Sequence, residues 1–126
     1  MINANWPDAE RLTVLRATPE FAAWPERSLR ALSRQFDEVI LPAGRLIALE
    51  GMPCSEFVVV LEGGLRSHSL SGESRLHRAG DSCGWRAMWE RGPNEATVVV
   101  ESGARVLVMG HAQFRAVKGE AATKAA

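Results

Sequence analysis

GWRAMWERGP, residues 84–93, is the most informative stretch of this chain. Its interior, from Trp85 to Arg91, is compatible with a helix, and Gly84 and Pro93 mark its two ends. Short segments of β character lie on both sides, at 75–78 and 96–101. The pattern therefore predicts a short helix inserted into a domain that is otherwise built from strands.

Strand patterns continue outward from this stretch in both directions. The strongest is Phe57-Val58-Val59-Val60-Leu61, which ends at Glu62-Gly63-Gly64. Further short strands are predicted at 39–41, 46–49, 65–70, 75–78, 96–101 and 105–109. Strands this short, with a turn signal about every ten residues, are typical of a barrel, a roll or a sandwich.

Helices are predicted at both ends of the chain. Residues 10–15 are good helix formers, and Thr18-Pro19-Glu20 has the pattern of a helix start. A further helix begins at Pro25 and places Leu29, Leu32 and Phe36 on one face, with Trp24 packed on the same core. A closing helix covers 111–118, and we expect the tail after it to fray.

The composition excludes several classes of protein. Fifteen basic residues balance fifteen acidic ones in 126 residues, so the chain has no excess charge to hold nucleic acid or anionic lipid. We expect no direct DNA binding, because a helix-turn-helix needs about twenty residues beyond the roll. Residues 1–8 lack a signal peptide pattern and no apolar run could span a membrane, so we expect a cytoplasmic protein with no membrane contact.

Catalytic and metal-binding patterns are missing from the sequence. The histidines at 68, 77 and 111 are not at metal-ligand spacing, and Cys54 and Cys83 are expected to be free thiols. The serines at 67, 69, 71 and 74 lie in a turn-rich segment and are interpreted as loop solvation. We therefore expect neither an enzyme nor a bound metal or cofactor.

Five short segments in order resemble the cyclic nucleotide-binding domain family, which includes the sensor domains of cyclic-AMP receptor-type regulators. They are Leu41–Gly51, Phe57–Gly63, Leu76–Gly84, Ala96-Thr97-Val98 and Phe114. The resemblance covers roughly residues 21–117 and implies a mainly β fold with flanking helices, a jelly-roll-like β-roll or double-stranded β-helix. It implies one domain over 1–126, with N-terminal helices at 8–36, the β-roll at 38–110, a ligand-binding cassette at 83–97 and a C-terminal helix at 111–118.

The same resemblance implies two departures in the cassette. The family places a ribose-binding glutamate after the cassette glycine, where this chain has Trp85, and a phosphate-binding arginine where it has Asn94. An indole only donates hydrogen bonds, Asn94 carries no charge, and Glu95 would repel a phosphate if it faced the pocket. Hydrogen bonds to charged groups contribute about 1.5–3 kcal/mol each, so losing two costs roughly two to four orders of magnitude in affinity.

Other cassette residues keep a ligand site open as an alternative. Gly84, Ala87, Ala96 and Thr97 retain the family's framework, and Arg86 or Arg91 would supply a substitute positive charge. Two tryptophans, at 85 and 89, either plug the pocket or pack on the roll, or else they form an aromatic platform for a planar ligand or a partner's side chain; we favour the plug.

Three hypotheses follow. In the first, a degenerate module binds cyclic nucleotide weakly or not at all and acts through a protein partner or self-association. In the second, a remodelled pocket senses a cyclic nucleotide or another small molecule. In the third, an unrelated β-barrel shares the turns. A missing helix between Gly84 and Pro93 would favour the third; Trp85 filling the pocket favours the first, and an open cavity the second.

Overall fold

The computed structural model describes residues 8–125, so the opening residues 1–7, from which we expect no signal peptide, and Ala126 lie outside it. The helices are α1 (Asp8–Ala17), α2 (Glu26–Ser33), α3 (Trp85–Glu90) and α4 (His111–Ala125), with a 3-10 turn at Pro19–Phe21. The strands are β1 (Asp37–Leu41), β2 (Leu46–Ala48), β3 (Phe57–His68), β4 (Ser74–His77), β5 (Ser82–Cys83) and β6 (Thr97–Met109). The expected mainly β fold with flanking helices is confirmed, and the predicted helix inside 84–93 is α3.

The sheet is antiparallel and is organised around its two long strands. Its order is β1-β6-β3-β4, with β2 paired to β6 and β5 paired to β3. The β3–β6 ladder runs from the pair Phe57 and Met109 to the pair His68 and Thr97. The sheet curls into a roll without closing, so its interior remains open to solvent on one side.

At two places where we predicted a turn between separate strands, the structure has a bend within one continuous strand. We expected separate strands at 57–61 and 65–70, and at 96–101 and 105–109, but β3 and β6 each run through the glycines between them. Gly63 has a φ of 85°, and a Cβ there would lie 2.2 Å from the carbonyl oxygen of Gly103. The pairing register shifts at this point, so the glycines form bulges that bend the ladder and leave it intact.

The helix ends also differ in detail from the predicted ones. Thr18 lies at the N-cap position of the 3-10 turn and Pro19 starts that turn, as predicted, but the Thr18 hydroxyl does not cap it: the hydroxyl donates to the Val14 carbonyl at 2.9 Å, which closes α1. Phe36 is buried but lies after the end of α2. The C-terminal helix continues past residue 118 to Ala125. None of the described helices has the length and apolar character needed to cross a membrane.

The long strands separate two hydrophobic clusters. Successive side chains of a strand point to opposite faces, so Phe57 and Val59 pack on the helices while Val58 and Val60 face the interior of the roll. This double burial explains why the most apolar segment of the sequence forms β3. The expected packing of Trp24 on the helix-side core is confirmed.

Candidate functional site

An open cavity of about 350 Å³ lies in the interior of the roll. Its walls come from β2, the inner face of the β3–β4 hairpin, β5, and the segment that runs from α3 into β6. That segment includes the predicted cassette. Ligand pockets in proteins measure about 300–1,000 Å³, so the cavity has room for a small organic molecule.

Helix α3 is held against the cavity by the backbone at its two ends. Gly84 has a φ of 97°, and a Cβ there would lie 2.8 Å from the carbonyl oxygen of Glu56, so only glycine fits. At the other end Arg91 takes a φ of 55°, and the Gly92 amide donates to the Ala87 carbonyl at 2.8 Å. These turns place buried Ala87 in the cavity wall.

Trp85 lies on the opposite side of α3, among aromatic rings. Its ring centroid is 5.6 Å from Phe21, 5.4 Å from Phe57 and 5.2 Å from Phe114, all in edge-to-face geometry. It is not part of the cavity wall, so the interpretation that Trp85 plugs the pocket is wrong. A large indole gains more from burial in an aromatic cluster than from a polar cavity that is open to water.

Asn94 lies at the cavity wall with its side chain engaged in a structural contact. The side-chain amide donates to the Leu49 carbonyl at 3.0 Å. The backbone amide of Asn94 donates to the Met52 carbonyl, and its own carbonyl accepts from Gly51. The residue in the arginine position therefore ties the cassette to the loop after β2.

The two cassette arginines do not reach the cavity. Arg86 is 74% exposed and pairs with Glu90 at 3.3 Å and with Glu95 at 3.8 Å. Arg91 is exposed at the end of α3, and neither arginine lines the cavity.

Four of the eight predicted site residues therefore meet at the cavity. These four are Gly84, Ala87, Asn94 and Ala96. Trp85, Arg86 and Arg91 lie elsewhere, and the Thr97 hydroxyl accepts a hydrogen bond from the Glu50 amide at 3.1 Å outside the cavity wall. The binding roles of all eight residues stay predictions.

The β3–β4 hairpin also contributes to the cavity wall, a contribution that was not predicted from the sequence. Ser67, on β3, lines the cavity, so the interpretation of this serine as loop solvation is wrong. Ser69 also lines the cavity but lies in the turn as expected, with its hydroxyl 2.6 Å from that of Ser71. On β4, Arg75 and His77 share the inner face, and the Ser67 hydroxyl lies 2.9 Å from Nε2 of His77. The signal was the alternation of polar residues two apart, which places them on one face of a strand.

His77 is a buried polar residue of the cavity wall. The residue is 6% exposed, and its Nδ1 has no hydrogen-bond partner within the described residues. Burial lowers the pKa of His77 below its usual value of 6.5, and the nearby Arg75 lowers it further. The ring is therefore neutral at pH 7.

The remaining charges of the wall are mostly negative. Glu56, Glu73 and Glu95 line the cavity, and Arg75 is the one cation among its described lining residues. Two free thiols complete the wall, those of Cys54 and Cys83. Burial raises the pKa of Cys83 to about 12 and also raises the pKa of Cys54, so both are protonated at neutral pH and are poor nucleophiles.

The described residues also contain no group of three or more His, Cys, Asp or Glu side chains that could hold a metal ion.

Comparison with known proteins places this architecture in context. A family model described as the cyclic nucleotide-binding domain matches residues 38–120. The regulatory domain of Toxoplasma gondii PKA, solved with cAMP, is 26% identical with a TM-score of 0.80, over 93% of this chain and 46% of that one. The present chain thus spans less than half the length of that protein.

Two bacterial structures are also similar. The N-terminal domain of a transcriptional regulator from Streptomyces coelicolor is 29% identical with a TM-score of 0.73, over 87% of this chain and 82% of that one. A cyclic nucleotide-binding-like protein from Brucella abortus shares the fold at 19% identity, with a TM-score of 0.71 over 86% of this chain and 97% of that one. A search of curated proteins finds no significant match to the sequence.

Proposed function

The chain belongs to the cyclic nucleotide-binding domain family, and we propose that it is a non-catalytic regulatory module that senses a small molecule while binding cyclic nucleotides weakly or not at all. The family is a regulatory one. A ligand cavity distinguishes a regulatory domain that senses a small molecule from one that serves only as a scaffold. In this chain the cavity is open, with Trp85 packed outside it. An open, walled cavity supports a sensor over a module that has filled its pocket.

The observation that carries the proposal is the set of charges around this cavity. A cyclic nucleotide brings one negative charge, and here it would meet three glutamates and the single guanidinium of Arg75. Asn94 occupies the position of the family's arginine, and its side-chain amide donates a hydrogen bond to the backbone carbonyl of Leu49. A phosphate therefore loses its charge-assisted partner at that position and gains carboxylate neighbours.

Magnitudes indicate which effect dominates. The three carboxylates belong to exposed residues, so each contributes less than about 1 kcal/mol against an anion. The lost arginine and glutamate contacts weigh more, at about 1.5–3 kcal/mol each. Together they support a dissociation constant for cyclic nucleotides in the millimolar range or weaker.

The proposal is tested by calorimetric titration of the purified protein with cyclic AMP and cyclic GMP up to millimolar concentration. We expect no saturation in the micromolar range for either nucleotide. Saturable micromolar binding would overturn the proposal and would direct attention to Arg75, the cation in the cavity wall.

Two further expectations remain predictions. One is that the module acts through a protein partner or by self-association, and the other is that it works in the cytoplasm. The first expectation follows from the regulatory role, since a regulatory domain passes on its ligand state through protein contacts.

A further inference from the structure

We infer that the interior of the roll takes an uncharged organic ligand, whose apolar ring or short aliphatic body fills a second, smaller cavity and whose hydroxyl or carbonyl group lies in the larger one. This ligand class rests on the proposed function, because it specifies what the module would sense. It differs from cAMP, the charged ligand with which the similar Toxoplasma domain was solved.

The smaller cavity, of about 170 Å³, adjoins the larger one and shares Ile47, Glu56 and Val58 with it. The rest of its wall comes from β1, from β2 with the residue before it, and from β6: Val39, Leu41, Arg45, Leu46, Val106 and Val108. All of its described lining residues except Arg45 and Glu56 are aliphatic, and these two are exposed. An aliphatic cavity of about 150 Å³ holds benzene, so the smaller cavity has room for a single ring or a short branched chain.

The aliphatic wall of the smaller cavity is only partly covered by the protein itself. Val58 and Val106 are buried. Val39, Leu41 and Val108 pack on the interior cluster of the roll but are only half-buried. Apolar surface in contact with water costs free energy in proportion to its area, so a ligand with an apolar body would gain affinity by covering these side chains.

The charged residues in the described wall of the larger cavity all lie at its exposed parts. They are Glu56, Glu73, Arg75 and Glu95. The less exposed polar groups of the wall include the hydroxyl of half-buried Ser67 and the thiols of Cys54 and Cys83, which stay protonated because burial raises their pKa.

This distribution of charge favours a neutral ligand over an ion of either sign. An ion would lose hydration on entering the larger cavity and would find no enclosed group of opposite charge there. A hydroxyl or carbonyl group loses less hydration, and the Ser67 hydroxyl is able to donate a hydrogen bond to it or to accept one from a hydroxyl.

Three probes with the same apolar body and different charge test this ligand class. They are 4-ethylbenzyl alcohol (neutral), 4-ethylbenzoate (an anion) and 4-ethylbenzylammonium (a cation), each titrated calorimetrically into the full chain at neutral pH. We expect the alcohol to bind at least about tenfold more tightly than either ion, because only the ions give up the hydration of a charge.

Benzyl alcohol adds a measurement that needs no variant. It lacks the two carbons of the ethyl group, and each buried methylene group is worth about fourfold in affinity. We therefore expect it to bind about fifteenfold more weakly than 4-ethylbenzyl alcohol. Equal affinities of the two alcohols would mean that the apolar body is not buried, and would overturn its placement in the smaller cavity.

Val39→Phe puts a larger side chain into the smaller cavity from the edge strand β1 and should abolish the binding of 4-ethylbenzyl alcohol. Ile40→Phe is the matched control, because Ile40 is the next residue of the same strand, is 42% exposed and lines neither cavity. It should leave the affinity unchanged. Thermal unfolding shows whether both variants fold; if Val39→Phe does not, the comparison of the two alcohols in the native chain decides. Equal binding by both folded variants would contradict the placement.

Cyclic AMP, titrated alongside, separates this ligand class from the proposed function. Micromolar binding of cyclic AMP would overturn the proposed function and the uncharged ligand with it. If cyclic AMP binds weakly and 4-ethylbenzyl alcohol binds no better than the ions, or if none of the probes binds at millimolar concentration, the uncharged ligand alone is wrong.

Discussion

At position 94 the side chain contributes to the structure of the loop. The Asn94 amide reaches the Leu49 carbonyl at 3.0 Å, and this contact ties the cassette to the segment after β2. A longer, charged side chain at this position would lie at the cavity wall, where it would face a bound phosphate.

Asn94→Arg should therefore strengthen the binding of cyclic AMP. One charge-assisted contact is worth about 1.5–3 kcal/mol, which corresponds to about a ten- to hundredfold gain in affinity. Calorimetric titration of the variant checks this. Asn94→Gln is the neutral control, and an equal affinity of the two variants for cyclic AMP would contradict the account.

The buried imidazole of His77 makes the stability of the fold depend on pH. Burial lowers the pKa of His77 in the folded state, Arg75 lowers it further, and Asp81 raises it in part. The unfolded chain therefore binds more protons just below pH 6.5, the ordinary histidine value. It follows that the contribution of this residue to stability is present above that value and declines as the pH falls below it.

We predict that the free energy of unfolding falls more steeply below pH 6.5 in the native chain than in His77→Gln. Urea denaturation of both proteins across pH 5 to 8, the range in which histidine titrates, measures the difference. Parallel curves for the two proteins would show that His77 does not have the lowered pKa.

At the scale of elements, α3 is held between the cavity and the C-terminal helix. The ammonium group of Lys118 on α4 donates to the Trp89 carbonyl at 2.7 Å and lies 5.1 Å from the centroid of the Trp89 ring. This contact satisfies a carbonyl in the last turn of α3, which would otherwise lack an intrahelical partner.

Lys118→Met should destabilise the domain by about 1–2 kcal/mol, since it keeps the aliphatic stem and removes the hydrogen bond and the cation–π contact. Urea denaturation measures the loss. Arg115→Met, at an exposed position of the same helix, is the control and should change stability by less than about 0.5 kcal/mol. Equal effects of both substitutions would contradict the assigned role of Lys118.

The order of elements was predictable because its signals are local. Gly84 and Pro93 mark the ends of the α3 segment, and the uninterrupted apolar run at 57–61 marks a strand buried on both faces. The continuity of β3 and β6 was not predictable in the same way. A glycine with positive φ is compatible both with the end of a strand and with a bend inside it. Which of the two occurs depends on whether the partner strand continues to pair beyond the glycine.

The cavity wall was half predictable for a similar reason. Cassette residues such as Ala87 and Ala96 were found because they follow a family pattern. Ser67, Arg75 and His77 were missed, because a period of two identifies residues that share a face without telling which face is solvent. Polar residues that face inward therefore look like those that face water.

For the whole molecule, the two faces of the β3–β6 ladder have different roles: one packs on the helices and the other lines the cavity. One face packs on the helices through the aromatic cluster. Trp85, the residue at the family's glutamate position, lies in this cluster. The other face forms the interior of the roll, where the cavity stays open and the charged residues of its wall are mostly acidic. The chain thus keeps the fold of a cyclic nucleotide-binding domain, and we propose that the chemistry of its pocket is changed.

The dissociation constant of the purified chain for cyclic AMP is the most direct measure of that change. We predict a value in the millimolar range or weaker, because the family resemblance implies that Trp85 and Asn94 replace the two residues that make charge-assisted contacts with the nucleotide. A saturable micromolar constant would contradict it, and would mean that Arg75 or a rearranged cassette replaces the lost contacts.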